Sequence, residues 1–113
     1  MTDRLLFARR EGAEWVETGA GSSRRVLLHT DELMMVEFGF EKGAIGALHS
    51  HSHVQASYVA EGQFKVTVAG RTEVLSAGDG FIVPPNEIHG VEALESGRLI
   101  DCFTPHRADF LKP

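Results

Sequence analysis

The sequence has little of several features that define common classes of protein. Its 113 residues include a single cysteine, Cys102, so no internal disulfide can form. No apolar run approaches the length needed to cross a bilayer, and the N-terminal stretch MTDRLLFARR lacks the long apolar region of a signal peptide. We therefore expect a cytoplasmic protein without membrane contact, and we interpret Cys102 as a small buried apolar residue.

Basic charge and compositional breaks are also scarce. Sixteen acidic residues outnumber eleven lysines and arginines, which gives a net charge of −5. A nucleic-acid-binding surface needs a basic face, so this balance argues against nucleic acid as a partner. The chain has no linker, low-complexity tract or internal repeat, and its length suits one domain, which we expect to span residues 1–113.

Turn signals, in contrast, are frequent. Twelve glycines punctuate the chain, and apolar and polar residues alternate between them, as in residues 64–68. The turn at Ala69-Gly70-Arg71 predicts a hairpin in which residues 72–75 return. About seven to ten short strands at this spacing predict an all-β fold, a small β-sandwich or barrel. The other expected strands are 26–28, 32–40, 81–83, 91–94 and 98–103, and residues 108–111 allow only a short helical turn.

A run of possible metal ligands lies in the stretch LHSHSHVQ, and its members alternate along the chain. They are His49, His51, His53 and Gln55. In an unbroken strand, all four side chains would point to one face. A single small ion cannot use four ligands along one straight strand, so either the chain bends here or one histidine is idle.

A further histidine, His89, follows the turn Pro84-Pro85-Asn86 and can approach the same ion from a different strand. If the chain bends between His51 and Gln55, the glutamine lies on an adjacent strand and faces back, while His53 points elsewhere. Two histidines two residues apart, joined by ligands from neighbouring strands, give the convergent geometry that a metal needs. The expected ligands of one divalent zinc, nickel, manganese or iron ion are His49, His51, Gln55 and His89.

Two spaced motifs carry a family resemblance. The first is G-x5-H-x-H-x3-Q-x6-G over residues 43–62, and the second is G-x5-P-x-N-x2-H over residues 78–89. Together they resemble the paired motifs of the cupin superfamily, although Gln55 stands where glutamate is usual and Asn86 where glycine is usual. The resemblance covers residues 30–104 and implies a small jelly-roll β-barrel with a metal in its interior, often in a homodimer.

Gln55 changes the charge of the expected centre. Three neutral imidazoles and a neutral amide leave the positive charge of a divalent ion uncompensated. Such a centre is a stronger Lewis acid toward an anionic ligand, and it is a poorer platform for stabilising oxidised iron. The ligand set therefore favours polarisation of a carboxylate, hydroxyl or carbonyl group.

The C-terminal segment adds an acid, an aromatic ring and a cation, namely Asp101, Phe103 and Arg107. On a strand, Asp101 and Phe103 share a face. Inside an apolar barrel the acid would have a raised pKa and exchange protons, and the arginine fork matches a carboxylate. The structural alternative is a salt bridge between Asp101 and Arg107 near the barrel rim, with Phe103 in the core.

Three segments together are similar to a more specific group of proteins. HxHxHxQxxYVxEG at residues 49–62, PPNxxHGVxALE at residues 84–95 and DxFxPxRxDFL at residues 101–111 resemble the KdgF family of small cupins from pectin and alginate catabolism. The resemblance implies an enzyme that converts 4,5-unsaturated monouronates, which are small anionic sugar acids, into linear 4-deoxy-5-keto uronates. It also implies metal binding by the four expected ligands and catalytic roles for Asp101, Phe103 and Arg107.

Two other functions stay open from the sequence. An iron-dependent cupin dioxygenase would use His49, His51 and His89 as its redox ligands and would consume oxygen. A cupin without catalytic activity would bind a small molecule and release it unchanged. Turnover without oxygen uptake separates the uronate reaction from both.

Overall fold

The computed structural model describes residues 6–112, and within them the chain forms ten strands and one short 3-10 helix. The expected domain spans residues 1–113. Its residues 1–5 (MTDRL) and residue 113 lie outside the described residues. The all-β class predicted from the alternating pattern is confirmed. The strands are β1 (Val16–Gly19), β2 (Ser22–His29), β3 (Met34–Phe40), β4 (Ile45–His49), β5 (Val54–Glu61), β6 (Gln63–Val68), β7 (Arg71–Ser76), β8 (Gly80–Val83), β9 (His89–Ala93) and β10 (Gly97–Thr104), and the 3-10 helix is Ala108–Leu111.

The strands form two sheets in which every pair is antiparallel. The larger sheet has the order β1-β2-β3-β10-β5-β8, and the smaller has the order β4-β9-β6-β7. Each sheet is hydrogen-bonded separately, so the architecture is the double-sheet form of a jelly roll rather than one closed barrel. No helix among the described residues is long and apolar enough to span a membrane.

The two sheets pack face to face through a shared apolar core. Buried residues of the larger sheet, such as Val59 and Leu99, contact Phe64 and Val66 of the smaller sheet in one cluster. A second cluster, formed by Met34, Val36 and Phe103, lies on the larger sheet. The burial follows the period of two, because successive side chains of a strand point to opposite faces.

The N-terminal part of the larger sheet differs from the sequence prediction. β2 begins at Ser22 rather than at Val26, and β1 was not predicted. Residues 16–25 contain few apolar side chains, so the alternation that identified the other strands is missing there. Pairing with β3 supplies the hydrogen bonds that this polar segment needs, and only the tertiary structure provides that partner.

The turn from β5 to β6 explains why the first sequence motif ends in glycine. Gly62 has a φ of +88°, in the region that favours glycine. A Cβ at this position would also lie 2.5 Å from the carbonyl oxygen of Ser96. The close approach allows the chain to leave one sheet and enter the other directly after β5.

Candidate metal centre

A bend after β4 brings the first group of expected ligands together. β4 ends at His49, and the bend at Ser52 and His53 carries the chain from the smaller sheet to the larger one. The predicted bend between His51 and Gln55 is confirmed. β5 does not pair with β4 as the expected adjacent strand would, so Gln55 faces the histidines across the space between the sheets.

Three of the four expected ligands form a compact group. His49 and His89 are register partners on β4 and β9, and their ring centroids lie 4.3 Å apart. The His51 ring centroid lies 4.7 Å from that of His89. One ring nitrogen from each histidine lies within 4.8 Å of the others, so the three side chains could hold a metal ion.

Backbone carbonyls orient all three rings in the same way. Each Nδ1 lies within hydrogen-bond distance of a carbonyl oxygen two residues away along the chain. The distances are 2.7 Å for His49 to Ala47, 3.1 Å for His51 to His53 and 2.9 Å for His89 to Glu87. When Nδ1 donates its proton to a carbonyl, the Nε2 lone pair is left free, which is the arrangement that metal-binding histidines use.

The free nitrogens fit a bound cation. His89 Nε2 is buried and has no hydrogen-bond partner among the described residues. His51 Nε2 lies 2.9 Å from Gln55 Oε1, so two lone pairs face each other if His51 Nδ1 carries the only ring proton. Burial lowers the pKa of His51 and of His89, which favours the neutral imidazole that binds metals. A cation between these atoms would remove the repulsion and satisfy the buried nitrogen.

The hydrogen bonds of Gln55 explain why this position carries an amide and not a carboxylate. Its Nε2 group donates to Ser57 Oγ at 3.0 Å and to Asp101 Oδ2 at 3.3 Å, which directs Oε1 toward the histidines. A glutamate would lack both donors and would place a second carboxyl group against Asp101. Our sequence reasoning missed Ser57, although its position two residues after Gln55 on β5 put it on the same face.

Asp101 is a buried acid that makes no ion pair with any of residues 6–112. The residue is 5% exposed, and its Oδ1 has no hydrogen-bond partner among the described residues. Burial raises the pKa of Asp101 to about 7, against the weaker opposing effects of Ser57 and Arg107. The alternative salt bridge from Asp101 to Arg107 is absent from the described part of the chain. Arg107 pairs instead with Asp109, through Nε to Oδ1 at 3.1 Å and Nη2 to Oδ2 at 3.0 Å.

Phe103 connects the histidines to the C-terminal arginine. Its buried ring packs edge to face with the His51 ring at a centroid distance of 5.7 Å. The guanidinium carbon of Arg107 lies 5.2 Å from the Phe103 centroid and 4.2 Å from that of Phe110. The three expected C-terminal residues therefore lie beside the histidine group and do not form a separate site.

Most of these groups line one cavity of about 420 Å³, a volume in the range of small-molecule sites. Its wall includes His49, His89, Gln55, Asp101 and Arg107. A larger and more open groove of about 670 Å³ adjoins it at Ser22 and Phe40, and no histidine lines this groove. We assign the candidate site to the smaller cavity, because only this one combines possible metal ligands with a buried acid.

The remaining histidine and the cysteine have other positions. His53 lies in the bend and outside the group of three, although its carbonyl oxygen orients His51. Cys102 is on the opposite face of β10 from Asp101 and is half-buried, so it is less buried than we expected. Burial and the neighbouring Asp101 raise the pKa of the thiol, which disfavours the reactive thiolate.

The family is decided by a sequence comparison. The sequence profile of the Cupin domain family matches residues 36–103, which include all the expected metal ligands. This chain is a cupin. The predicted superfamily and its jelly-roll fold are therefore confirmed.

Individual relatives place this cupin more closely. It is 48% identical over 99 residues to the pectin degradation protein KdgF of Dickeya dadantii, a match that covers 86% of this chain and 90% of the relative. The structure of KdgF from a Halomonas species matches with a TM-score of 0.88 and 38% identity over 92% of this chain and 96% of that one. An RmlC-like cupin from Shewanella frigidimarina matches with a TM-score of 0.91 and 45% identity over 97% and 99% of the two chains. The predicted resemblance to KdgF is confirmed.

Proposed function

We propose that this cupin catalyses the ring opening and ketonisation of 4,5-unsaturated monouronates to linear 4-deoxy-5-keto uronates. The observation that carries the proposal is the position of Asp101, a buried acid one hydrogen bond from Gln55 in the cavity that His49 and His89 of the histidine group also line. Similarity to the pectin degradation protein KdgF supports the substrate class, since uronates are the building blocks of pectin.

The proposed metal ligands are His49, His51, Gln55 and His89, around one divalent ion. When bound, the ion would act as a Lewis acid toward oxygen atoms of the substrate. Gln55 supports this assignment because its amide oxygen is held toward His51 by the two bonds that its nitrogen donates. The ligand set satisfies zinc, nickel, manganese and iron alike.

Asp101 is the proposed proton carrier. Ring opening breaks the bond from C1 to the ring oxygen, and it releases the proton of the C1 hydroxyl group as the aldehyde forms. The ring oxygen leaves as the oxygen of a C5 enolate, and protonation of this enolate at C4 gives the C5 ketone. The released proton is thus returned, and the reaction is an isomerisation that needs no cosubstrate. A carboxyl group with a pKa of about 7 can accept the first proton and donate the second near neutral pH.

Arg107 and Phe103 are proposed to hold the substrate. Nη1 of Arg107 makes no hydrogen bond to the described residues, because the pair with Asp109 uses Nε and Nη2. This group is free to donate to the carboxylate of a uronate. Phe103 forms the wall between Arg107 and the His51 ring and limits the positions that a sugar ring can take.

The proposed active unit is a homodimer in which each chain forms one domain. Its support is an apolar row across the outer face of the larger sheet, in which Met35, Cys102, Ala56 and Ile82 are aligned in register. Ile82 is 62% exposed, and an exposed apolar patch of this kind often marks an interface. We expect Ile82→Glu to give a monomer in sedimentation experiments, whereas Val74→Glu on the smaller sheet should leave the mass unchanged.

The single cysteine supports the proposed cytoplasmic location, since the chain can form no internal disulfide.

The proposed function is tested by following the absorbance of 4,5-unsaturated galacturonate, whose conjugated double bond is lost on ketonisation. The decay is measured without protein, with the intact protein, after removal of metal with a chelator, and after metal is restored. We expect the intact protein to accelerate the decay, the metal-free protein to match the spontaneous rate, and restored metal to recover activity.

Oxygen uptake is recorded in the same reactions. Stoichiometric oxygen consumption would show that the protein is a dioxygenase and not an isomerase. Saturable binding of the uronate with a decay no faster than the spontaneous one would leave a cupin that binds without catalysis.

A further inference from the structure

Two adjacent arginines on β2 have opposite environments. Arg25 points to the outer face, where its Nε and Nη2 lie 2.8 and 2.7 Å from Glu37 Oε1. Arg24 points to the inner face and lines the same cavity as His49 and His89. Among the described residues, Arg24 makes no hydrogen bond and no ion pair, so one arginine is neutralised and its neighbour is not.

The guanidinium of Arg24 is nevertheless held in place. Its central carbon lies 3.9 Å from the ring centroid of Phe110, the same ring that Arg107 contacts at 4.2 Å. Stacking on an aromatic face uses the plane of the guanidinium and leaves the N–H groups at its edge available. Phe110 therefore fixes two cations beside one cavity without using the donors of Arg24.

The two cavity arginines differ in their available donors. Arg107 is engaged by Asp109 through two hydrogen bonds, which compensates its charge and occupies half of its fork. None of the residues that the structure describes occupies the donors of Arg24, which keeps its complete fork available. Burial lowers the pKa of Arg24, and Asp109 offsets this only in part while the charge of Arg107 adds to it. A half-buried cation without a partner is a position where a bound anion lowers the energy of the protein.

We propose that Arg24 is a second carboxylate-binding residue of this cavity and that it sets the preference for acidic over neutral sugars. The proposal rests on the proposed uronate function and adds a residue to it. Arg24 would take the carboxylate through its complete fork, and Arg107 would contribute the single Nη1 donor beside it. Asp101 and the histidines would then face the ring atoms of the same sugar.

The first test measures steady-state kinetics with 4,5-unsaturated galacturonate for Arg24→Gln and Arg24→Lys. Loss of a charge-assisted pair predicts a rise in KM of about 10-fold or more for Arg24→Gln, with kcat within about threefold of the native value. Arg24→Lys keeps the charge without the fork and should give an intermediate KM. Arg71→Gln, an exposed arginine on β7, serves as the matched control and should leave both constants unchanged. An unchanged KM in Arg24→Gln would overturn the proposal and leave the uronate reaction intact.

A second readout separates this proposal from the reaction itself. Calorimetric titration with saturated galacturonate, which has the carboxylate without the reactive double bond, should show about 10-fold weaker binding to Arg24→Gln than to the native protein. The weak binding of neutral galactose should be the same in both proteins. If the native protein has no turnover, the proposed reaction fails, and the titration still decides the role of Arg24. Equal galacturonate affinity in the two proteins, or an equal loss for galactose, would show that Arg24 only supports the packing of Phe110.

Discussion

Glu37 and Asp101 are buried carboxyl groups on neighbouring strands, and their environments are opposite. They are 4% and 5% exposed, Glu37 on the outer face of β3 and Asp101 on the inner face of β10. Glu37 lies between Arg25 and Arg98, at 2.7 and 2.6 Å. Burial acts to raise its pKa, but the two arginines outweigh that effect, so the pKa of Glu37 is lowered.

Asp101 has no such partners within the part of the chain that the structure describes. Its neighbours are the amide of Gln55 and the hydroxyl of Ser57, and burial raises its pKa to about 7. Equal burial therefore produces a group that is charged at neutral pH in one position and a proton-exchanging group in the other. The difference teaches that the partners of a buried acid, and not its depth, separate a structural role from a chemical one.

The largest expected effect is on catalysis. Asp101→Ala should reduce the metal-dependent loss of unsaturated uronate by at least about 100-fold, because general acid–base catalysis is lost. Metal content, measured by mass spectrometry, should remain native because Asp101 is not a proposed ligand. Asp101→Asn keeps the shape of the side chain and should be equally inactive. Full activity in either variant would remove Asp101 from the mechanism.

The next effect concerns Gln55, which separates Asp101 from the histidines. Gln55→Ala should weaken metal binding by about 10- to 100-fold in a competition assay with a chelator, since one ligand is lost. Gln55→Glu should still bind metal, because a carboxylate is a good ligand, but it removes the donors to Asp101 and Ser57 and should lose activity. Gln63→Glu on β6 is the matched control at an outer position. Native activity in Gln55→Glu would contradict the role of the amide.

Glu37→Gln should affect stability and leave the chemistry intact. Removing the carboxylate leaves Arg25 without its partner, and we expect a loss of about 2–3 kcal/mol in the free energy of unfolding, reduced because Arg98 is partly exposed. Urea unfolding measures the loss, and the folded variant should retain native kcat. The exposed pair of Glu73 with Arg71 provides the control, since Glu73→Gln should cost no more than about 1 kcal/mol. If Glu73→Gln lowered the free energy of unfolding more than Glu37→Gln, the stabilising role assigned to Glu37 would be wrong.

The smallest expected effect is a difference in pH dependence, measured on the metal-free protein. Because the pKa of Glu37 is lowered below 4.5, its stabilising contribution is present above that pH and is lost as the pH falls through the folded pKa. Because the pKa of Asp101 is raised above 3.8, its contribution is present below that pH and is lost as the pH rises to about 7. The stability gap between the native protein and Glu37→Gln should therefore narrow in acid. The free energy of unfolding of Asp101→Asn should rise relative to that of the native protein as the pH increases from about 4 to 7. If the two variants showed the same pH dependence of this free energy, the comparison of Glu37 with Asp101 would be contradicted.

The local pattern of the sequence predicted the parts of the fold that depend on neighbours along the chain. The period of two identified β6, and a glycine-containing turn separated β6 from β7. The same period correctly put Asp101 and Phe103 on one buried face. It failed for β1 and the start of β2, because a polar strand held by its partners carries no apolar alternation.

The spacing of the histidines also predicted their convergence. His49 and His51 lie two residues apart, and His89 follows a proline turn, so a bend was enough to bring the three together. The pairing of charged groups was not predictable in this way. Arg107 pairs with Asp109 rather than with Asp101. The period of two puts Arg24 and Arg25 on opposite faces, but which of the two faces the cavity depends on the register of β2 with β3.

The sequence by itself determined the all-β class, the family and the set of possible ligands, because these depend on residue type and short-range spacing. The tertiary structure alone decided which sheet carries Gln55, which arginine faces the cavity and which buried acid is left without a cation. The physical reason is that charge and hydrogen-bond partners come from strands distant in the chain. Whether a buried acid keeps or exchanges its proton therefore depends on contacts that no local pattern contains.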